Sequence, residues 1–135
     1  MASAEADLPM LRPEARTLRG TGALLLAIGT VIGAFGAHAL KARLAADRYE
    51  VLQTAVHYQF VNALGLLLVG VAAERVAAPL LRTAGALLLA GVLLFSGSLY
   101  LILAGAPAGV GVLTPLGGLL LIIGWLLAAW ALFGE

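Results

Sequence analysis

The densest group of hydrogen-bonding side chains in this chain lies in an otherwise apolar stretch and consists of Thr54, His57, Tyr58, Gln59 and Asn62. In a helix, Thr54, Tyr58 and Asn62 would share one face, because they are spaced four residues apart, with Gln59 beside them. Such side chains can line a polar pathway, hold a small ligand or bond to neighbouring helices. A proton relay is not expected, because no carboxylate accompanies them.

Two later apolar stretches carry a second group of polar side chains. Ser96 and Tyr100 are spaced four residues apart, Ser98 falls on a different helical face, and Thr114 follows in the next stretch. The bland interpretation is that they hydrogen-bond across helices and stabilise a bundle, whereas the sharper one is a polar pathway. The full candidate set is His38, His57, Tyr58, Gln59, Asn62, Ser96, Ser98, Tyr100 and Thr114.

Catalytic and metal-binding chemistry is poorly supported by these residue types. The chain has no cysteine, and neither His38 nor His57 has an acidic residue within its apolar stretch. Metal sites for borderline cations require more ligands than two histidines. The serines have no base and acid at the spacing that nucleophilic catalysis requires. We therefore expect no catalytic residue, no metal, no cofactor and no enzymatic activity.

The polar residues lie in or next to four uncharged apolar runs, at residues 20–40, 54–73, 83–104 and 115–133. At about 1.5 Å per residue, each run spans roughly 28–33 Å, which matches the ~30 Å hydrocarbon core of a bilayer. The whole chain is 62% hydrophobic with a mean hydropathy of +1.05, unlike soluble domains. The sequence therefore predicts an all-α bundle of four transmembrane helices that contacts the lipid bilayer.

The N-terminal boundaries of the first two helices are predicted from their starting residues. We expect a disordered arm over residues 1–12 and one four-helix transmembrane domain over residues 13–135, with Pro13 in the first turn. Asp47 and Glu50 have the spacing of a capping box. This spacing predicts that the second helix begins at Asp47 and continues to residue 73.

The segment at residues 105–113 is uncharged and rich in glycine, which predicts a short turn at the membrane surface. A re-entrant loop is the alternative, but it offers few polar partners for its backbone. Thr114 followed by Pro115 predicts an N-cap and a first helical residue, so the fourth helix should start there.

Glycines recur at helical spacing in the first and fourth runs, where a second backbone could approach closely. Packing within the bundle and association between copies explain this spacing equally well, so a homo-oligomer remains open. The positions expected to pack in this way are Gly29, Gly33, Gly36, Gly117, Gly118 and Gly124.

The basic residues that flank the runs predict an orientation, since cytoplasmic loops carry an excess of Lys and Arg. Five of them share the side of both termini and three lie on the other, so we expect both termini in the cytoplasm and the chain in the inner membrane. The net charge of +1 does not indicate nucleic-acid binding. The two groups are Arg12, Arg16, Arg19, Arg75 and Arg82 against Lys41, Arg43 and Arg48.

Four motifs in a fixed order make the sequence recognisable: GAFGAHAL at 33–40, Tyr58-Gln59, FSGSLY at 95–100, and TPLGG at 114–118 with Gly124-Trp125. Together they resemble the family numbered 423 among domains of unknown function, which includes the bacterial YgdD-like proteins. The resemblance covers about residues 20–130. It implies a four-helix integral membrane protein whose biochemical role is not established.

One position departs from the pattern of that family. The family continues the Tyr-Gln pair with a histidine three residues after the glutamine, and here that position is Asn62. The resemblance therefore gives no support for titration or metal binding at this position. An asparagine can still form hydrogen bonds there. Two hypotheses follow: a non-enzymatic structural or accessory membrane protein, or alternatively a small oligomeric transporter or channel for an unidentified solute or ion. A protein partner is not identified.

Overall fold

The computed structural model describes residues 12–75 and 79–134, which fold into four long α-helices. Their bounds are α1 Pro13–Phe35, α2 Ala46–Arg75, α3 Pro79–Leu103 and α4 Leu113–Phe133, with a π-helical turn at Gly36–Leu40 and a 3-10 turn at Ala108–Val112. Each of the four is long and apolar enough to cross a membrane. The prediction of an all-α bundle with four transmembrane helices is confirmed. The arm expected over residues 1–12 lies, except for Arg12, outside the described residues.

The helices pack in the order in which they occur along the chain. α1 packs on α2, α2 on α3, and α3 on α4, while α1 touches α3 along a short stretch. Leu66, Leu81 and Leu88 are fully buried in these interfaces. Because α4 packs almost entirely on α3, a space remains between α2 and α4, and α3 forms its floor.

Two ion pairs join the helix ends on the side where α1 begins. A guanidinium nitrogen of Arg19 lies 2.6 Å from Glu74 Oε1 at the end of α2, and Arg82 Nη1 lies 3.0 Å from Glu14 Oε1. The Arg19–Glu74 pair is close, but its angles do not make a hydrogen bond. The Arg82–Glu14 pair is exposed, and such pairs contribute only about 0–1 kcal/mol. Both pairs are consistent with helices that alternate in direction.

α2 begins one residue earlier than predicted. The backbone N–H of Tyr49 donates to the carbonyl of Ala45 at 2.9 Å, so Ala45 occupies the cap position and Ala46 is the first helical residue. Asp47 therefore lies inside the first turn, and its assignment as the cap is wrong. Its carboxylate is still near the positive end of the helix dipole, where an acid is favoured.

The connection between α3 and α4 is a short turn, as predicted. Gly105 has a φ of +99° and ends α3, because its N–H donates to the carbonyl of Ile102 and the next N–H donates to that of Leu101. α4 starts at Leu113, so Thr114 is a residue of the first turn rather than the cap. That prediction is wrong because the Thr114 hydroxyl bonds to α3 instead of to its own backbone.

Candidate functional site

Gln59 lies where α1, α2 and α3 meet, and its side chain is only 3% exposed. Its Nε2 donates to the carbonyl oxygen of Leu25 in α1 at 2.8 Å. Its Oε1 accepts from the hydroxyl of Tyr100 in α3 at 2.6 Å. Gly29 makes room for the amide, since a Cβ atom there would stand 3.2 Å from Gln59 Nε2. One amide therefore connects α2 to both of its neighbours.

Asn62 lies one turn further along α2 and bonds to α4 instead. It is 4% exposed, and its Nδ2 donates to the carbonyl of Tyr58 in the preceding turn at 2.9 Å. Its Oδ1 accepts from the indole Nε1 of Trp125 at 2.8 Å. The indole ring lies against Gly65, where a Cβ atom would overlap it. Trp125 therefore attaches α4 to α2.

Three hydroxyl groups complete the bonding between helices. Ser96 Oγ donates to the carbonyl of Ala55 in α2 at 2.7 Å. Ser98 Oγ donates to the carbonyl of Phe95 at 2.9 Å and lies 2.6 Å from Thr114 Oγ1 in α4. Because Ser98 has one hydroxyl proton and uses it on Phe95, the proton between Ser98 and Thr114 belongs to Thr114.

We call the bonded side chains the polar cluster. Within the described residues, no buried nitrogen or oxygen of these side chains is without a partner. An unpaired amide in hydrocarbon would cost several kcal/mol, which explains why they turn inward. Hydrogen bonds between membrane helices contribute about 0.6–2 kcal/mol each. The members are Gln59, Asn62, Ser96, Ser98, Tyr100, Thr114 and Trp125.

Three residues of the predicted set lie outside the polar cluster. His38 is exposed in the π-helical turn that extends α1. His57 is exposed on α2, with its ring edge-on to Tyr58 at 6.0 Å. The ring of Tyr58 packs 4.3 Å from that of Phe95. Over residues 12–75 and 79–134, no group of three His, Asp or Glu side chains could hold a metal ion.

The glycines at helical spacing pack against other helices of the same chain. Gly33 and Gly36 face α2, where Cβ atoms would stand 3.4 Å from Val56 and 2.8 Å from Leu52. In α4, Gly117 lies against the backbone of Phe95, a Cβ at Gly118 would be 3.7 Å from the ring of Phe95, and Gly124 lies against Leu88. Sequence reasoning missed the close approaches at Gly22, Gly65, Gly70, Gly85 and Gly91, although Gly22 precedes Gly29 and Gly36 at seven-residue spacing.

The space between α2 and α4 is a groove of about 620 Å³, which we call the α2–α4 groove. Its volume falls in the range of ligand pockets, about 300–1,000 Å³. Sequence reasoning did not predict this groove. The lining side chains are mostly apolar and include Val61, Phe95, Leu121, Ile122 and Leu126, with His57, Tyr58, Asn62 and Trp125 as the polar ones.

Comparison with known proteins finds matches to membrane proteins of unknown function. The family model described as "Protein of unknown function (DUF423)" matches residues 32–118. A UPF0382 membrane protein of Staphylococcus haemolyticus is 42% identical over 106 residues, which cover 78% of this chain and 86% of that protein. The UPF0382 membrane protein YwdK of Bacillus subtilis is 41% identical over 104 residues, or 76% and 83% of the two chains. No solved structure matches the chain.

Proposed function

The chain belongs to the DUF423 family of membrane proteins, and on that basis we propose that it is a non-enzymatic structural or accessory protein of the membrane. The observation that carries this proposal is that the side chains of the polar cluster use their hydrogen-bonding groups within the protein. Its amide, hydroxyl and indole groups are bonded to one another or to backbone carbonyls. Groups that are satisfied in this way stabilise helix packing and are not available to a passing solute.

The engaged hydroxyls also argue against enzymatic activity. Ser96 and Ser98 donate their protons to backbone carbonyls. A nucleophilic serine instead donates to a side-chain base that removes its proton. The two serines therefore support a packing role.

A small oligomeric transporter or channel is the alternative, and the α2–α4 groove is the observation in its favour. His57 and Tyr58 stand in the wall of the groove, so copies that faced each other across it would enclose a partly polar space. Conduction requires groups that replace the hydration shell of the solute along a continuous path. The polar cluster offers no such groups, because its members bond to each other and to backbone.

Solute flux distinguishes the two proposals. We expect liposomes that contain the purified protein to be no more permeable to protons, potassium or small neutral solutes than protein-free liposomes. A pore-forming peptide added to the same vesicles is the positive control. A flux that saturates with solute and scales with protein density would contradict the structural proposal.

We also propose that the protein lies in the inner membrane with both termini in the cytoplasm. The excess of basic residues on the side of the termini supports this orientation. The natural chain has no cysteine, so single cysteines can be introduced at Ala2 and Ala108 without background. In intact cells, an impermeant maleimide should label the cysteine at position 108 and leave that at position 2 unlabelled. The reverse pattern would invert the orientation.

A further inference from the structure

The α2–α4 groove combines an apolar interior with two polar side chains that lack partners. Over residues 12–75 and 79–134, neither the imidazole of His57 nor the hydroxyl of Tyr58 makes a hydrogen bond, whereas the neighbouring Asn62 bonds through both its Nδ2 and its Oδ1. Both residues line the groove. Unpaired donors next to hydrocarbon are unfavourable, so an occupant of this groove that supplies acceptor oxygens is stabilised there.

The depth of these two donors matches the boundary between hydrocarbon and headgroups. His57 is three residues inside the apolar run that begins at Thr54, so it lies about 5 Å below the start of that run. The apolar lining continues away from this boundary along α4 from Gly118 to Leu126, a distance of about 12 Å. An occupant must therefore be polar at the level of His57 and apolar below it.

The face of α2 above the groove carries acidic residues. Asp47, Glu50, Thr54, His57 and Val61 are spaced three and four residues apart, which puts them on one helical face, and all five are exposed. Glu50 precedes His57 by seven residues and so stands about 10 Å above it. This face would attract a positively charged group in the headgroup layer.

The nearest basic residue on α2 is directed elsewhere. The Arg48 guanidinium donates to the carbonyl of Leu103 at the end of α3, at 2.8 Å. Its guanidinium is therefore directed towards α3 and away from the carboxylates of Asp47 and Glu50, while Lys41 and Arg43 lie in the connection to α1.

We propose that the α2–α4 groove binds one phospholipid that has a positively charged amine in its headgroup. An acyl chain lies along Val61, Ile122 and Leu126, and ester or phosphate oxygens accept from His57 and Tyr58. The ammonium group lies near Glu50. The groove opens sideways onto the surface where exposed apolar side chains contact the bilayer, so the bilayer itself supplies the occupant. This inference is independent of the proposed structural role.

The test uses phosphatidylethanolamine with a photoactivatable acyl chain, in nanodiscs that contain the full chain. Val61 and Leu68 are a matched pair, because both are exposed on α2, at 50% and 58%, and only Val61 lines the groove. We expect severalfold more cross-linking at Val61 than at Leu68. The same experiment with a phosphatidylglycerol probe should give a smaller ratio. Equal ratios for the two lipids would overturn the proposal.

Two variants test the binding mode. Tyr58→Phe removes one donor and should lower the Val61 to Leu68 ratio roughly 2–10-fold, the equivalent of one hydrogen bond. Gly118→Leu places a side chain in the groove and should abolish the preference for Val61. Circular dichroism verifies that each variant is folded. If Val61 is labelled no more than Leu68, the probe contacts the protein only as non-specific annular lipid, and the proposal is wrong. Protection of Val61 by a second copy or another helix would also contradict the proposal.

Discussion

Replacing Gln59 with leucine is expected to lower the free energy of unfolding by about 1–3 kcal/mol, because the buried hydroxyl of Tyr100 loses its acceptor. Tyr100→Phe should also be destabilising, since it leaves Gln59 Oε1 without a donor. The double variant should lose less than the sum of the two, by about 0.6 kcal/mol and at most about 1.7 kcal/mol, the average and the largest value for hydrogen bonds between membrane helices. Unfolding is measured by far-ultraviolet circular dichroism in mixed micelles with increasing denaturing detergent.

The chain offers a matched control for this experiment. Gln53 is also a glutamine of α2, but it is exposed and donates only to the hydroxyl of Tyr49 in its own helix. Gln53→Leu should therefore change stability by about 0.5 kcal/mol or less. If Gln59→Leu is as mild as Gln53→Leu, or if the losses at Gln59 and Tyr100 simply add, the bond between α2 and α3 is not what stabilises this interface.

Gly117→Ala is expected to be the most damaging of the small substitutions in α4. A Cβ atom at Gly117 would overlap the backbone of Phe95 and stand 2.8 Å from the carbonyl oxygen of Gly91, neither of which can rotate away. α3 and α4 would have to separate, at a cost of about 1–3 kcal/mol. The loss would also be seen as a lower melting temperature in detergent.

The neighbouring glycine is the control for Gly117. At Gly118, a Cβ atom would meet the ring of Phe95 at 3.7 Å, an ordinary contact. Gly118→Ala should therefore be neutral or stabilise the helix by up to about 1 kcal/mol. Gly97 of α3 has no atom within 4 Å of such a Cβ, so Gly97→Ala should behave in the same way. Equal effects at Gly117 and Gly118 would contradict the close approach of α3 and α4.

The fold was predictable because hydropathy alone determines it. Uncharged runs as long as a bilayer is thick can satisfy their backbone only as helices, so the four spans follow from the positions of the charged residues. The inward direction of Gln59 follows from the same argument, since its amide is too short to reach the headgroups. In the structure this amide bonds to Tyr100 of α3, one of the polar residues that the sequence singled out.

The errors arose where a local rule competed with contacts between helices. Thr114 has the residue type and the following proline of an N-cap, but Ser98 of α3 lies 2.6 Å from its hydroxyl and takes its hydrogen bond. Asn62 bonds to Trp125 of α4, and this bond depends on how far α4 stands from α2. That separation also creates the α2–α4 groove. The distance between α2 and α4 is set by the packing of all four helices together. The sequence of any single helix therefore does not predict it.

Side-chain amide exchange tests most directly whether the polar cluster is closed to water. The chain contains two glutamines and one asparagine, so labelling with ¹⁵N-glutamine and ¹⁵N-asparagine yields three side-chain amides that nuclear magnetic resonance can resolve. After transfer to D₂O, Gln53 should exchange at once, because it is exposed. Gln59 and Asn62 should retain their protons for far longer. Exchange of Gln59 as fast as that of Gln53 would reveal an aqueous path through the cluster and contradict its structural role.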